Sequence, residues 1–208
     1  MTTAVKTLLV LAVAGFSLWS LRAQTVATTY GPQYTATGEL QFPQDYRDWT
    51  YLTTGFDMSY SPDAQMGNHH MFDNVFVGTE SYRAFVRTGT WPDKTVFVLE
   101  QRTAQSKGSI NKQGSFQTSV MGFDVHVRDD ARFKGGWAFF NFSDERKPSA
   151  MIPTTVACYS CHSAHAAVGT TFVQFYPTLL PIAREKGTLS QGYLDDEKAG
   201  AAADAPAR

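Results

Sequence analysis

The chain has 208 residues, with 18 Lys and Arg against 19 Asp and Glu, and a formal net charge of −1. That balance excludes the basic bias of a nucleic-acid binder or of a protein drawn to an anionic membrane surface. The length suits one domain with a sizeable core, and an aromatic content of 13 % supplies material for a packed interior or an apolar pocket.

Residues 1–23 read as a secretory signal peptide: Lys6 gives a positive start, an apolar run follows to Trp19, and Ala23 stands at a small-residue cleavage site. Arg22 beside that site keeps an uncleaved anchor as the alternative, although the run is shorter than the ~20 residues a membrane span needs. Export to the periplasm is the expectation. Residues 24–40, rich in Thr and Gly, read as a loose N-terminal arm, and residues 41–193 as one domain. Residues 194–208 turn to Asp, Glu, Lys, Ala and Gly with no apolar period, which predicts a disordered tail.

Within the domain, residues 43–49 start a short helix. Residues 71–77 carry Phe72, Val75, Phe76 and Val77 and read as a strand. Residues 79–88 place Tyr82, Phe85 and Val86 at helical spacing, with Thr79 as N-cap and Gly89 as terminator. Trp91-Pro92-Asp93 is a turn before a strand at 95–99, and the polar, glycine-containing stretch 106–114 is a loop. The strand at 120–128 sets Val125 and Val127 on one face and Asp124, His126 and Arg128 on the other. Gly135-Gly136 turns the chain into a last strand at 137–142. The expected class is α+β, a dominant antiparallel β-sheet with a few packed helices.

After that last strand comes Cys158-Tyr159-Ser160-Cys161-His162, holding the only two cysteines of the chain. C-x-x-C-H is the spacing of c-type haem attachment: each thiol adds to one haem vinyl, and the next residue, His162, reaches the iron from one face. A thioredoxin-like pair would want a βαβ unit, and none is visible. Zinc would draw Cys158, Cys161, His162 and His165 from eight residues, a poor tetrahedron. The reading is haem c, bound through Cys158, Cys161 and His162.

The other face of the iron decides function. Met58, Met66, Met71, Met121 and Met151 are candidate sixth ligands that would give a closed electron carrier. His69-His70 is a candidate distal pair. Asp124 is a candidate proton acceptor for an N–H or O–H bond of a bound substrate, with His126 as the alternative base. His165 is a candidate partner for the second nitrogen of His162. Phe72, Phe76, Phe97 and Phe123 are candidates to line the pocket, Phe72 and Phe97 as gates.

In order along the chain, Asp45-Tyr46-Arg47-Asp48-Trp49, Asn74-Val75-Phe76-Val77, Trp91-Pro92-Asp93, Val127-Arg128-Asp129, Gly135-Gly136-Trp137 and the haem motif resemble the cytochrome P-460 family. The resemblance implies an antiparallel-sheet homodimer with one haem c per chain, a histidine ligand and an open sixth site. It implies hydroxylamine oxidation or nitric oxide binding, with electrons passed to a partner cytochrome. Oxidising members bond a lysine to the porphyrin edge; here that position falls on Leu99, with Lys94, Lys107 and Lys112 displaced from it. The branch resembling cytochrome c-prime-beta lacks that lysine and binds nitric oxide or carbon monoxide. By the same resemblance the distal carboxylate falls on Asp124, and a distal arginine falls near Asn74, where it is lost.

Overall fold

A computed structural model describes residues 31–59 and 70–203. The signal-like segment, Met66 and His69 lie outside them. Five strands form one antiparallel meander in the order β1 (Thr50–Phe56), β2 (Met71–Val77), β3 (Val96–Gln105), β4 (Phe116–Arg128) and β5 (Trp137–Phe142). Helix α1 (Thr79–Thr88) joins β2 to β3, and α2 (Ala157–His165), α3 (Leu180–Lys186) and α4 (Gln191–Ala203) follow the sheet. The α+β class with a dominant antiparallel sheet is therefore what the chain adopts.

Period-two alternation sorts the sheet residues onto two faces. On the first, Val96, Val98, Phe123, Val125, Val127, Ala138, Phe140 and Phe142 pack against Leu40, Phe42 and Tyr46 of the N-terminal segment. On the second, Val75, Val77 and Phe97 meet Phe85 of α1, Trp91, and Val173, Leu179 and Tyr193 from the C-terminal third. Covering both faces explains why Val96, Phe97 and Val98 are all buried in succession.

Helix α1 turns its Phe85 fully inward, a burial that contributes about 1.5–3 kcal/mol. It starts after Gly78 rather than at a Thr79 cap, and it stops at Gly89, whose φ of 73° is left-handed. A Cβ on Gly89 would meet Lys186 Cβ at 2.7 Å, so the end of α3 packs directly on this turn.

Two segments differ from the sequence expectation. Of the residues read as a loose arm, the described ones, 31–40, are fastened: Leu40 is buried, bridges Tyr34 and Ser149, and donates its N–H to the Ser149 carbonyl at 2.8 Å. The supposed disordered tail is helical to Ala203. Its Ala, Glu and Lys residues favour helix once one side is anchored, and Tyr193 provides that anchor in the core. Helix α4 comes so near α2 that a Cβ on Gly192 would fall 2.0 Å from the Ala164 carbonyl oxygen. Apolar period is the wrong sign to seek in a helix that docks by one aromatic and a close backbone approach.

Candidate haem site

The haem motif lies on α2. Helical spacing stacks Cys158 and His162, four apart, on one side, and Cys161 stands one turn from Cys158. Both cysteines are free and partly exposed, open to a reaction with vinyl groups. Tyr159, between them in sequence, ties the helix to the sheet: its hydroxyl donates to the Ile152 carbonyl at 2.9 Å and accepts the Phe139 N–H at 3.2 Å. Among the described residues no cluster of three His, Cys, Asp or Glu side chains gathers for a metal ion, so the four donors considered for zinc do not converge.

His162 is fixed as an iron ligand needs to be. Its Nδ1–H donates to the Thr170 carbonyl at 2.7 Å, which leaves Nε2 for the metal. Its ring packs against Phe172 at 4.2 Å and Phe139 at 4.6 Å. Burial pushes its pKa down, and the Thr170 carbonyl opposes that in part, so the ring is neutral at pH 7. His165 is not the second-nitrogen partner; its Nδ1 pairs with Asp196 of α4 at 2.7 Å on the exposed side.

A cavity of about 330 Å³ opens between α2 and the second face of the sheet, within the size range of cofactor sites. Cys158, His162 and Phe172 line one wall, and Val75, Leu99, Gln101, Asp124, His126 and Phe139 are on the sheet side. The strand register lays these out in rows. Phe97, His126 and Phe139 are paired neighbours across β3, β4 and β5, and His162 packs over the last two of them. Val75, Leu99, Asp124 and Asn141 form the next row, and Gly55, Asp73 and Gln101 the third. From Phe97 to Gln101 is four residues, about 13 Å along a strand. The wall therefore runs from the His162 end to a far end bearing Asp73 and Gln101. A thiol and a tautomer-fixed imidazole on one wall of an apolar cavity fit a haem attached by C-x-x-C-H.

The other predicted residues divide. Asp124 lies in the middle row, where Asn141 Nδ2 donates to its Oδ1 at 2.8 Å and Gln101 Nε2 to its Oδ2 at 3.4 Å. His126 is buried and stacks on Phe139 at 4.0 Å, and Thr170 Oγ1 lies 3.1 Å from its Nε2. Burial, and then the nearby His162, hold its pKa well below the ordinary value. On the sheet side it occupies the row nearest His162, with the two ring centroids 5.4 Å apart, away from the far end of the cavity. Leu99 lines the cavity, and no described lysine does; Lys94 is tied to Asp129. Met58, Met121 and Met151 are all exposed, and of the three only Met58 also lines the cavity. His70 bonds Asp57 and stacks on Phe56, off the cavity wall.

Of the four phenylalanines expected in the pocket, only Phe97 lines it. Phe72 packs on Phe56, Phe76 on Tyr46, and Phe123 on Phe42, because odd and even strand positions face opposite ways. Asn74 likewise faces away, bonded to Glu100 and Gln117. Sequence reasoning missed Phe139, Phe172, Gln101 and Asp73. Period-two counting from Val75 and Leu99 would have found Asp73 and Gln101; nothing local marks Phe172, which reaches His162 only through the tertiary fold.

The cytochrome P460 family model matches residues 43–173. No curated protein matches the chain. The chain belongs to the cytochrome P460 family, and membership implies a haem cofactor.

Proposed function

We propose that this family member carries its haem covalently through Cys158 and Cys161, holds the iron by His162, and leaves the opposite face open to a small neutral nitrogen species. Nitric oxide binding and hydroxylamine oxidation are the two activities proposed, with electrons passed to a partner cytochrome after export to the periplasm. The observation that carries this is the tautomer lock: the Thr170 carbonyl accepts a hydrogen bond from the Nδ1–H of His162, so Nε2 is free at a cavity wall, and among the described residues no histidine lines the far end.

When bound, the haem supplies an iron that takes the small ligand and exchanges electrons. The chain supplies the rest. Thr170, Phe139 and Phe172 hold the His162 ring in place. Phe97, Leu99, Phe139 and Phe172 exclude water from the cavity. Asp124, steadied by Asn141 and Gln101, accepts a proton from an N–H or O–H bond of the substrate. Leu99 has no amine to bond the porphyrin edge, which favours ligand binding over oxidation. A homodimer accords with the exposed Ile110, Phe116, Val120 and Met121 around the β3–β4 hairpin.

Met58 on the cavity wall supports a second reading, an iron closed by a thioether and a plain electron carrier. The absorption spectrum of the dithionite-reduced holoprotein, before and after carbon monoxide, separates these. An ordinary haem c spectrum that shifts with carbon monoxide is expected. A spectrum that ignores carbon monoxide makes Met58 the leading ligand. A Soret band far to the red means a lysine cross-link, and hydroxylamine oxidation then leads.

A further inference from the structure

The far end of the cavity holds a carboxyl that the reading above does not use. Asp73 of β2 pairs through its backbone with Gly55 of β1 and Gln101 of β3, and it lines the cavity. Its Oδ1 is sealed from solvent and has no hydrogen-bond partner among the described residues. A buried oxygen left without a partner is a standing cost that a fold keeps only where something else satisfies it. Neighbouring polar groups on the same strand are not left so: Asn74 bonds Thr54, Glu100 and Gln117.

The surroundings of Asp73 favour its neutral form. Burial pushes its pKa up, and the charges of Asp124 on β4 and of Asp57 after β1 push the same way. Asp57 is itself engaged by His70. From β1 and β3 the neighbours are Gly55 and Gln101, both uncharged, and among the described residues no lysine or arginine lines the cavity. His126 and His162 lie at the opposite end, two rows along the sheet. Asp124 differs in having two amide N–H donors on its oxygens. Two carboxyls in one cavity with such different surroundings divide into a proton holder and a proton acceptor.

We propose that Asp73 is the hydrogen-bond donor of the open face: its undissociated carboxyl donates to the oxygen or nitrogen of a small neutral ligand held at the end of the cavity away from His162, while Asp124 serves as acceptor. The proton stays on Asp73. The inference rests on the open-face reading. It gives the pocket a preference for neutral ligands with a lone pair, because an anion there would meet Asp124 without a cation to offset it.

The test is the carbon monoxide stretching frequency and dissociation rate of the reduced holoprotein between acid and alkaline pH, in wild type and in Asp73→Asn, Asp73→Leu and Asp124→Asn. A donor lowers the frequency and a carboxylate raises it. Wild type should move from a low to a high frequency as pH rises. Asp73→Asn, whose amide still donates, should stay near the acid-form value at all pH. Asp73→Leu should be independent of pH, lie between the two, and release carbon monoxide about fivefold to tenfold faster than acid-form wild type, the loss of one hydrogen bond. In Asp124→Asn the transition should persist at lower pH. A transition that survives in Asp73→Leu, or vanishes in Asp124→Asn, overturns the assignment to Asp73. A wild type that binds carbon monoxide with one frequency at every pH also overturns it, with the open face intact. A wild type that binds none removes the open face and the Asp73 role together.

Discussion

The two faces of the sheet each take a carboxylate oxygen out of solvent, from a buried Glu100 on one and a half-buried Asp73 on the other, and they treat it in opposite ways. On the packed face Glu100 is 1 % exposed and fully engaged, by Tyr46, Arg47, Arg102 and Asn74. Burial pulls its pKa up, but hydrogen bonds from Arg102 and Tyr46 and the charges of Arg47 and Arg102 outweigh that and lower it. On the cavity face, Asp73 keeps an oxygen with no partner among the described residues, and its pKa is raised, chiefly by burial. One face has settled its buried charge within the fold. The other leaves one carboxyl oxygen without a partner among the described residues, and that distinguishes the two when both are lined with Val, Leu and Phe.

The contrast can be broken most severely by removing what the cavity face waits for. Replacing both Cys158 and Cys161 by Ser should abolish covalent haem entirely, read as complete extraction of haem into acidified organic solvent. Haem retained by the extracted polypeptide would refute attachment at this motif. On the packed face, Glu100→Leu should cost about 3–5 kcal/mol, because it strands the partly buried Arg102 and the buried Tyr46 hydroxyl. Equilibrium denaturation measures it, and a loss below 1 kcal/mol would show that the network is not what holds this face.

Asp124→Asn should slow hydroxylamine turnover by about 10²-fold or more while carbon monoxide affinity at acid pH, below the Asp73 transition, stays unchanged. Unchanged turnover would remove Asp124 as the proton acceptor. The smallest effect concerns Asp73 and stability. Its folded pKa is raised, so over a window above the unfolded acid's value of about 3.9 the folded state holds a proton that the unfolded chain has lost. Stability therefore falls as pH rises through that window, and Asp73→Asn should remove this component of the fall. Denaturation midpoints at acid and neutral pH would show it. If Asp73→Asn instead destabilises at neutral pH as Glu100→Leu does, the two faces are not different in kind.

Much of this was legible beforehand, and for local reasons. Met71–Val77, Thr79–Thr88 and Trp137–Phe142 have the bounds read from periodicity, since each is dense in β-branched, aromatic or helix-spaced residues and ends at a glycine or a turn. The expected elements include no β1, although Thr50-Tyr51-Leu52-Thr53-Thr54 is rich in strand formers, and they stop short of the outer parts of β3 and β4, because residues 100–105 and 116–119 are mostly polar. Those residues belong to strands because a partner strand satisfies their backbone, which no local pattern records.

The sequence by itself determined the chemistry: two thiols and an imidazole at fixed spacing, and a sheet whose alternation is written in its valines and phenylalanines. Only the tertiary structure decided which carboxyl meets the cavity with an oxygen unpartnered among the described residues, which carbonyl fixes the His162 tautomer, and which phenylalanines face the cavity. The reason is range. Covalent spacing and strand period act over a few residues, whereas Thr170 on His162, Asn141 on Asp124 and Glu100 among its four partners are contacts between segments that meet only when the sheet has closed its register.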